Sequence, residues 1–390
     1  MERFQEAAEK HGYLVAGSNN SRNGPFEPSL AAMDAMWRDT HSRFRIDARR
    51  RYAAGFSGGA RVACRFAQAG NLVAGVIACG GGFPGGMTPK PVPFVFFGTA
   101  GTEDFNYPEL RQLDRELDSL AVPHRVVTFD GGHDWASRAL ATQAIEWMEI
   151  QAMKAGRRPV DQALAEALFA SNLARIQALE SSGRLAEAFF GYVALAAEFK
   201  GLKEDSEFER KGAQREKSKA VKKSFKEEKE QESLHQQVGG ELFGLSRELE
   251  NPEQRQASLA SLRRAVGGLR KKAEGKEDSG SRRVARWVLE GLFVQAYEES
   301  RDLRERKNYP LAAAKLEVSV AIHPERPLVH YYLAGAHASS GNKKKALAAL
   351  QKAVETGFRD AVRMNRDPSW EGLRREAALQ QILEEISRPQ

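Results

Sequence analysis

The chain has 390 residues, of which 42% are hydrophobic and 28% charged, and its formal net charge is +7. This length allows two or three domains, and the composition is that of a globular protein with a substantial core. No apolar run approaches the roughly 18 residues of a transmembrane helix, so the sequence predicts no membrane span. Only Cys64 and Cys79 are present, too few for a disulfide framework or a cysteine metal cluster, and their apolar neighbours predict buried thiols.

The two halves of the chain differ in charge. Residues 1–150 contain 16 Lys and Arg against 17 Asp and Glu, whereas the remainder contains 43 against 35. The basic character therefore belongs to the second half, which indicates two kinds of domain.

Residues 1–155 alternate short β-rich runs with helical patterns, which predicts an α/β domain with a mostly parallel sheet. The predicted strands are Tyr13–Gly17, Arg51–Phe56, Leu72–Ala78, Val92–Phe97 and Arg125–Phe129. The predicted helices are 2–11, 28–41, 58–69, 108–119 and 136–154.

After Arg157–Pro159 the strand pattern disappears, which predicts a charged α-helical region over 160–290 and a separate all-α domain over 291–390. Lys307–Ala312 and Gly341–Ala346 are 34 residues apart, the period of tetratricopeptide repeats, and Ser182–Ala188 is a looser copy. Terminal helices are expected over 358–383 as a cap. Such repeats present a concave surface, so the expected partner is a protein or peptide.

Residues 200–285 are rich in charge, including the lysine run 217–223. Nucleic-acid binding is one interpretation of this stretch. The other is a solvated helical face, because Glu227, Glu228 and Glu230 follow the lysines closely and no aromatic residues are interleaved to stack on bases. The sequence favours the solvated face and no nucleic-acid partner.

Gly55–Gly59, with the sequence Gly-Phe-Ser-Gly-Gly, fits the G-x-S-x-G nucleophile elbow. A predicted strand precedes it and a predicted helix follows, as the motif requires. Glycine neighbours permit the strained turn that exposes a serine hydroxyl, and the Gly58 N–H would face a developing oxyanion. The alternative is a glycine-rich turn with an inert serine. The pattern favours Ser57 as a nucleophile.

A carboxylate and a histidine follow two later strands. Gly98–Asp104 offers Asp104 as the acid of a triad, with Glu103 as the neighbouring alternative, and two glycines precede His133 after the last predicted strand. The acid would hold the imidazole in the tautomer that accepts the serine proton. The order Ser57, Asp104, His133 is that of the α/β hydrolases.

On these three motifs, residues 1–155 resemble the α/β-hydrolase esterases related to polyhydroxybutyrate depolymerases and feruloyl esterases. The resemblance implies ester hydrolysis through an acyl-enzyme on Ser57, with His133 as base and then acid, Asp104 behind it and Gly58 in the oxyanion hole. Trp135 would either line the substrate pocket or pack in the core. The expected substrate is a small-molecule or polymeric ester.

The chain departs from that family at its start. The family's sheet has more strands than the pattern predicts here, so either the first strands are missing or the predicted strands Tyr13–Gly17 and Arg51–Phe56 pair directly. A late start would remove the loop that carries the second oxyanion donor, whose loss lowers turnover by about 10²–10³. It would also remove any signal peptide, which leaves localisation open.

Two other functions stay open at this point. One is a non-catalytic interaction protein whose hydrolase-like domain is degenerate and whose repeats carry the function. The other is a serine peptidase, because amide and ester hydrolysis use the same groups. The sequence predicts no metal and no organic cofactor, since it contains no His/Cys cluster and Gly80–Gly86 matches no phosphate-binding fingerprint.

Overall fold

The computed structural model describes residues 2–387 except 22, 71, 87, 89, 204–207, 209, 213–215 and 276–278. Contacts within the chain divide it into two units, Met1–Lys229 and Glu230–Gln390. The division falls inside the charged helical region predicted for 160–290. We call the first the α/β unit and the second the helical unit.

The α/β unit is built on four parallel strands whose order in the sheet is their order in the chain: β1 (Tyr52–Phe56), β2 (Gly75–Cys79), β3 (Val95–Gly101) and β4 (His124–Phe129). In the central register Ile77 lies between Ala54 and Phe97. Parallel neighbours need a crossover, and a helix or a short 3-10 turn lies in each of the three connections. The predicted mixed α/β class with a parallel sheet is confirmed at this level.

Both faces of the sheet are covered, as the alternation of side chains along β2 shows. Val76 and Ala78 face one core, and Ile77 and Cys79 face the other. The first core includes side chains of α3 and α4, and the second includes side chains of α1 and α5. The helices of this unit include α1 (Glu2–His11), α2 (Phe26–Arg43), α3 (Gly58–Gln68), α4 (Tyr107–Ser119), α5 (Arg138–Lys154), α6 (Gln162–Ser181), α7 (Leu185–Phe199) and the first turns of α8 (Lys219–Glu248).

Residues 13–17 are not a strand, so that prediction is wrong, and so is their direct pairing with β1. Gly12, at φ +70°, follows the last residue of α1, and the Tyr13 N–H closes the helix end on the Ala8 carbonyl. The Tyr13 hydroxyl then donates to Glu149 in α5. This anchor leaves Leu14 61% exposed and the segment without a strand partner.

The helical unit contains only helices over its described residues. These are the C-terminal part of α8 (Lys219–Glu248), followed by α9 (Arg255–Ala273), α10 (Gly280–Glu305), α11 (Tyr309–Ile322), α12 (Pro327–Ser339), α13 (Lys343–Glu355), α14 (Ala361–Arg366), a 3-10 helix (Pro368–Leu373) and α15 (Ala377–Ser387). Consecutive helices from α9 to α13 pack on one another. In no described part of the chain is a helix both long and apolar enough to cross a membrane.

The three sequence copies share one backbone turn. Gly183, Lys307 and Gly341 occupy the same position in their copies, and all have positive φ, at 78°, 59° and 74°. In each copy the next helix begins two residues later, at Leu185, Tyr309 and Lys343. The looser copy in the α/β unit therefore has the same local geometry as the two in the helical unit.

Candidate active site

The turn between β1 and α3 holds Ser57 in a conformation that side-chain-bearing residues rarely adopt, with φ 53° and ψ −119°. Such a conformation costs of order 1–3 kcal/mol and persists only where the surroundings enforce it. Here the Ser57 N–H donates to the Cys79 carbonyl at 2.8 Å, and the Ser57 carbonyl accepts from Ala60 N at 3.0 Å. The first turn of α3 passes so close to β1 that a Cβ on Gly55 would overlap the Gly59 backbone.

The structure brings together the three residues predicted for the triad. His133 Nε2 lies 2.8 Å from Ser57 Oγ, and His133 Nδ1 lies 2.9 Å from Asp104 Oδ1. The loops that carry them follow β1, β3 and β4, and the carboxyl ends of parallel strands share one edge of the sheet. The connection is a continuous hydrogen-bonded chain from hydroxyl to carboxylate.

Asp104, rather than Glu103, contacts the imidazole. Its side chain is fully buried, and Oδ1 accepts a second hydrogen bond from the Asn106 N–H at 2.8 Å. Asp104 Oδ2 is buried and has no hydrogen-bond partner among the described residues. Asn106 Nδ2 in turn donates to the Gly80 carbonyl at 2.8 Å, which ties the acid loop to the loop after β2.

The imidazole of His133 contacts two phenylalanine rings. The centroids of Phe56 and Phe105 are 4.6 Å and 4.5 Å from it, with interplanar angles of 36° and 44°. Trp135 packs on Phe56 at 5.5 Å and on Phe4 at 6.4 Å. The indole is half-buried and belongs to the aromatic group around the histidine.

Gly80 lies beneath the triad at φ +59°. A Cβ there would approach Phe56 at 2.9 Å, Asp104 Oδ2 at 3.1 Å and His133 Cε1 at 3.2 Å, so glycine is required both by the backbone and by the space. The same loop is held by Glu109, which accepts from the Gly82 N–H at 3.0 Å and pairs with Arg61 of α3.

Gly58, the expected oxyanion donor, is the first residue of α3, and no described residue accepts a hydrogen bond from its N–H. The carboxamide of Asn23 lies against the Gly58 Cα, so closely that a Cβ at this position would overlap Asn23 Oδ1. Asn23 therefore joins the residues that border the serine turn.

Sequence reasoning missed Phe105, Asn106, Gly80 and Asn23. A signal existed for three of them: Phe105 and Asn106 directly follow Asp104, and Gly80 begins the glycine-rich loop after β2, a loop at the same edge of the sheet. Asn23 lies far from any motif. Both cysteines are buried as predicted, and burial raises the pKa of the Cys64 and Cys79 thiols, which keeps them protonated.

Chemically, the arrangement provides a hydroxyl paired with an imidazole, a buried carboxylate behind the imidazole, and an open N–H beside the hydroxyl. No group of three or more His, Cys, Asp or Glu side chains with metal-binding geometry occurs among the described residues. Comparisons with protein-family models, with curated protein sequences and with solved structures found no match. A functional proposal for this chain therefore depends on the geometry of the site and not on similarity to a characterised protein.

Proposed function

We propose that the protein is a serine hydrolase that cleaves carboxylic esters through an acyl-enzyme on Ser57. The observation that carries the proposal is the chain of contacts from Ser57 Oγ to His133 and from His133 to the buried Asp104, at 2.8 Å and 2.9 Å. The strained turn at Ser57 supports it, because strain of this kind is maintained at functional sites. The resemblance of the three motifs to α/β-hydrolase esterases points to the same chemistry.

In the proposed reaction Ser57 Oγ attacks the ester carbonyl carbon while its proton passes to His133 Nε2. The oxyanion of the tetrahedral intermediate accepts a hydrogen bond from the Gly58 N–H. Collapse of the intermediate breaks the bond to the alkoxy oxygen, which leaves as the alcohol with the proton from His133. Water, deprotonated by His133, then attacks the acyl-enzyme and releases the carboxylic acid and Ser57.

Asp104 has a positioning role in this scheme. A carboxylate on Nδ1 keeps the proton there, so that Nε2 is free to accept the serine proton, and it stabilises the imidazolium once formed. Phe56 and Phe105 both pack against the ring, which favours one orientation of the imidazole. A preorganised base lowers the barrier because less reorientation is needed during attack.

The second part of the proposal concerns the helices. The turn shared by Gly183, Lys307 and Gly341, each two residues before a helix, is what a repeated helix–turn–helix unit produces. We propose that the two tetratricopeptide-like repeats of the helical unit, at Lys307 and Gly341, form a module that binds a protein or peptide.

The test of the hydrolase is labelling by a fluorophosphonate, which reacts with activated serines. The full chain should be labelled, the Ser57→Ala variant should not, and Ser42→Ala, which removes an exposed serine of α2, should label as the wild type does. A series of p-nitrophenyl esters of increasing acyl length then defines the acyl preference, and a matched anilide series separates an esterase from a peptidase. A folded chain that is not labelled would leave the non-catalytic interaction protein as the function.

A further inference from the structure

A cavity of about 300 Å³ lies in the helical unit, between the end of α10, the middle of α12 and residues 367–369. Its wall combines two guanidinium groups, Arg301 and Arg304, with the rings of Tyr309 and Tyr332 and the small residues Gly335 and Ala336. This volume is at the lower end of the range of small-molecule sites. Glu305 and Asp367 also line it, so the wall combines apolar surface with four charged groups.

Arg304 is the charged group at the centre of the argument. Its guanidinium lies over the Tyr332 ring, 4.2 Å from the centroid, and its Nε donates to the Ser300 carbonyl at 3.3 Å. Among the described residues no carboxylate lies within 4.0 Å of this guanidinium. Burial lowers the pKa of Arg304. Asp367 and Glu305 attract the guanidinium from a distance, but burial outweighs their attraction. A partly desolvated cation that forms no close ion pair is unfavourable, so an anion in the cavity would stabilise it.

The acid in the cavity wall is already engaged. Asp367 Oδ2 accepts from the Tyr331 hydroxyl at 2.7 Å, and Oδ1 accepts from the Ser369 N–H at 2.9 Å. The other acid, Glu305, is exposed on the last turn of α10. Arg301 contacts Asp302 only at 3.5 Å and is 36% exposed. The two guanidinium groups are thus available to a ligand, whereas Asp367 belongs to the wall.

We propose that this cavity binds a small molecule that carries one carboxylate and a compact apolar body. A planar guanidinium matches a carboxylate with two parallel hydrogen bonds. The tyrosine rings and the small residues Gly335 and Ala336 of the wall would contact the apolar part of the ligand. Asp367 and Glu305 line the same cavity and would repel a doubly charged phosphate about twice as strongly as a singly charged carboxylate. A peptide would leave most of its length outside a cavity of this size.

Benzoate is the probe, and its neutral analogue benzamide is the matched control ligand. Saturation-transfer NMR on the full chain should show benzoate binding, with benzamide at least about tenfold weaker, because an interaction with a charged partner is lost. Arg304→Gln should raise the dissociation constant of benzoate about tenfold or more. Arg306→Gln removes the same charge from an exposed residue at the same helix end and should change it by less than about twofold.

Four results would overturn the proposal: no benzoate binding, equal binding of benzamide, equal effects of the two arginine variants, or displacement of benzoate by phosphate more readily than by acetate at matched ionic strength. Thermal unfolding checks that Arg304→Gln is folded, and if it is not, Arg301→Gln takes its place with the same expectation. An acidic tetrapeptide that binds in an Arg304-dependent manner where benzoate does not would identify a peptide site instead. Because no ester is involved, these outcomes are independent of the proposed hydrolase.

Discussion

The two candidate sites are assembled in different ways. The triad of the α/β unit takes its residues from three loops that are up to 76 positions apart, and each loop is held by contacts to another loop. The cavity of the helical unit takes its two cations from one turn of α10 and its floor from one turn of α12.

This difference has a physical consequence. At the triad, the side chains are held by tight packing. Gly80 leaves no room for a Cβ beneath them, and Asp104 is fully buried. At the cavity, helix geometry alone places Arg301 and Arg304 on the same face, because residues three apart are neighbours on a helix. Substitutions near the triad should therefore change both the rate of ester hydrolysis and the free energy of unfolding. Substitutions in the helical unit should change stability without changing the rate of ester hydrolysis.

The largest expected effect is at the acid. Asp104→Asn should lower kcat for a p-nitrophenyl ester by about 10⁴, the loss that follows when the imidazole is held in the wrong tautomer. Steady-state kinetics on folded protein measure it. Glu103→Gln is the matched control, a neighbouring carboxylate of the same loop, and should retain kcat within about threefold. Equal losses in the two variants would contradict the assignment of Asp104.

A pair of glycines tests the contrast between the units. Gly80 and Gly341 both have positive φ, at 59° and 74°, but a Cβ meets the triad only at Gly80 and nothing within 4 Å at Gly341. Alanine at Gly341 should cost about 1–2 kcal/mol of backbone strain and leave ester hydrolysis unchanged. Alanine at Gly80 should cost more in unfolding free energy and lower kcat about 10²-fold, because it displaces His133.

Chemical denaturation and ester kinetics on the same preparations check both members of the pair. Since the chain has two units, each transition is followed separately rather than fitted as one. If Gly80→Ala retained full activity, the close contact beneath the triad would have no functional role.

The sequence predicted most of the sheet and the residues that meet at the triad. The strands of the sheet followed from their β-rich runs, and Ser57, Asp104 and His133 followed from glycine motifs placed after strands. Tyr13–Gly17 has the same apolar character but is not a strand, because its position is decided by the Tyr13 contact with Glu149, a residue of α5. The contacts that support the triad join residues distant in sequence, and so does the packing of α10 against α12 that closes the cavity at Arg304; no local pattern encodes either.

The smallest expected effect is a pH dependence of opposite sign in the two units. Burial disfavours the charged form of His124, but the hydrogen bond to Asp114 and the Val122 carbonyl outweigh it and raise the His124 pKa. In the helical unit burial lowers the pKa of His235, against the attraction of Glu232. The folded α/β unit therefore binds the His124 proton more tightly than the unfolded chain does, and the folded helical unit binds the His235 proton less tightly.

The sign of each contribution follows. The stability from His124 is fully present below its ordinary pKa of 6.5 and is lost as pH rises through the raised value. The loss of stability due to His235 appears as pH falls below 6.5, because the unfolded chain then binds a proton that the folded unit binds less tightly.

Hydrogen exchange at pH 5.5 and pH 8, corrected for the intrinsic exchange rates, measures the protection of each unit separately. His124→Gln should weaken protection of the α/β unit mainly at pH 5.5, and His235→Gln should make the helical unit less sensitive to acid. Identical pH profiles in both variants and the wild type would show that neither histidine distinguishes the units.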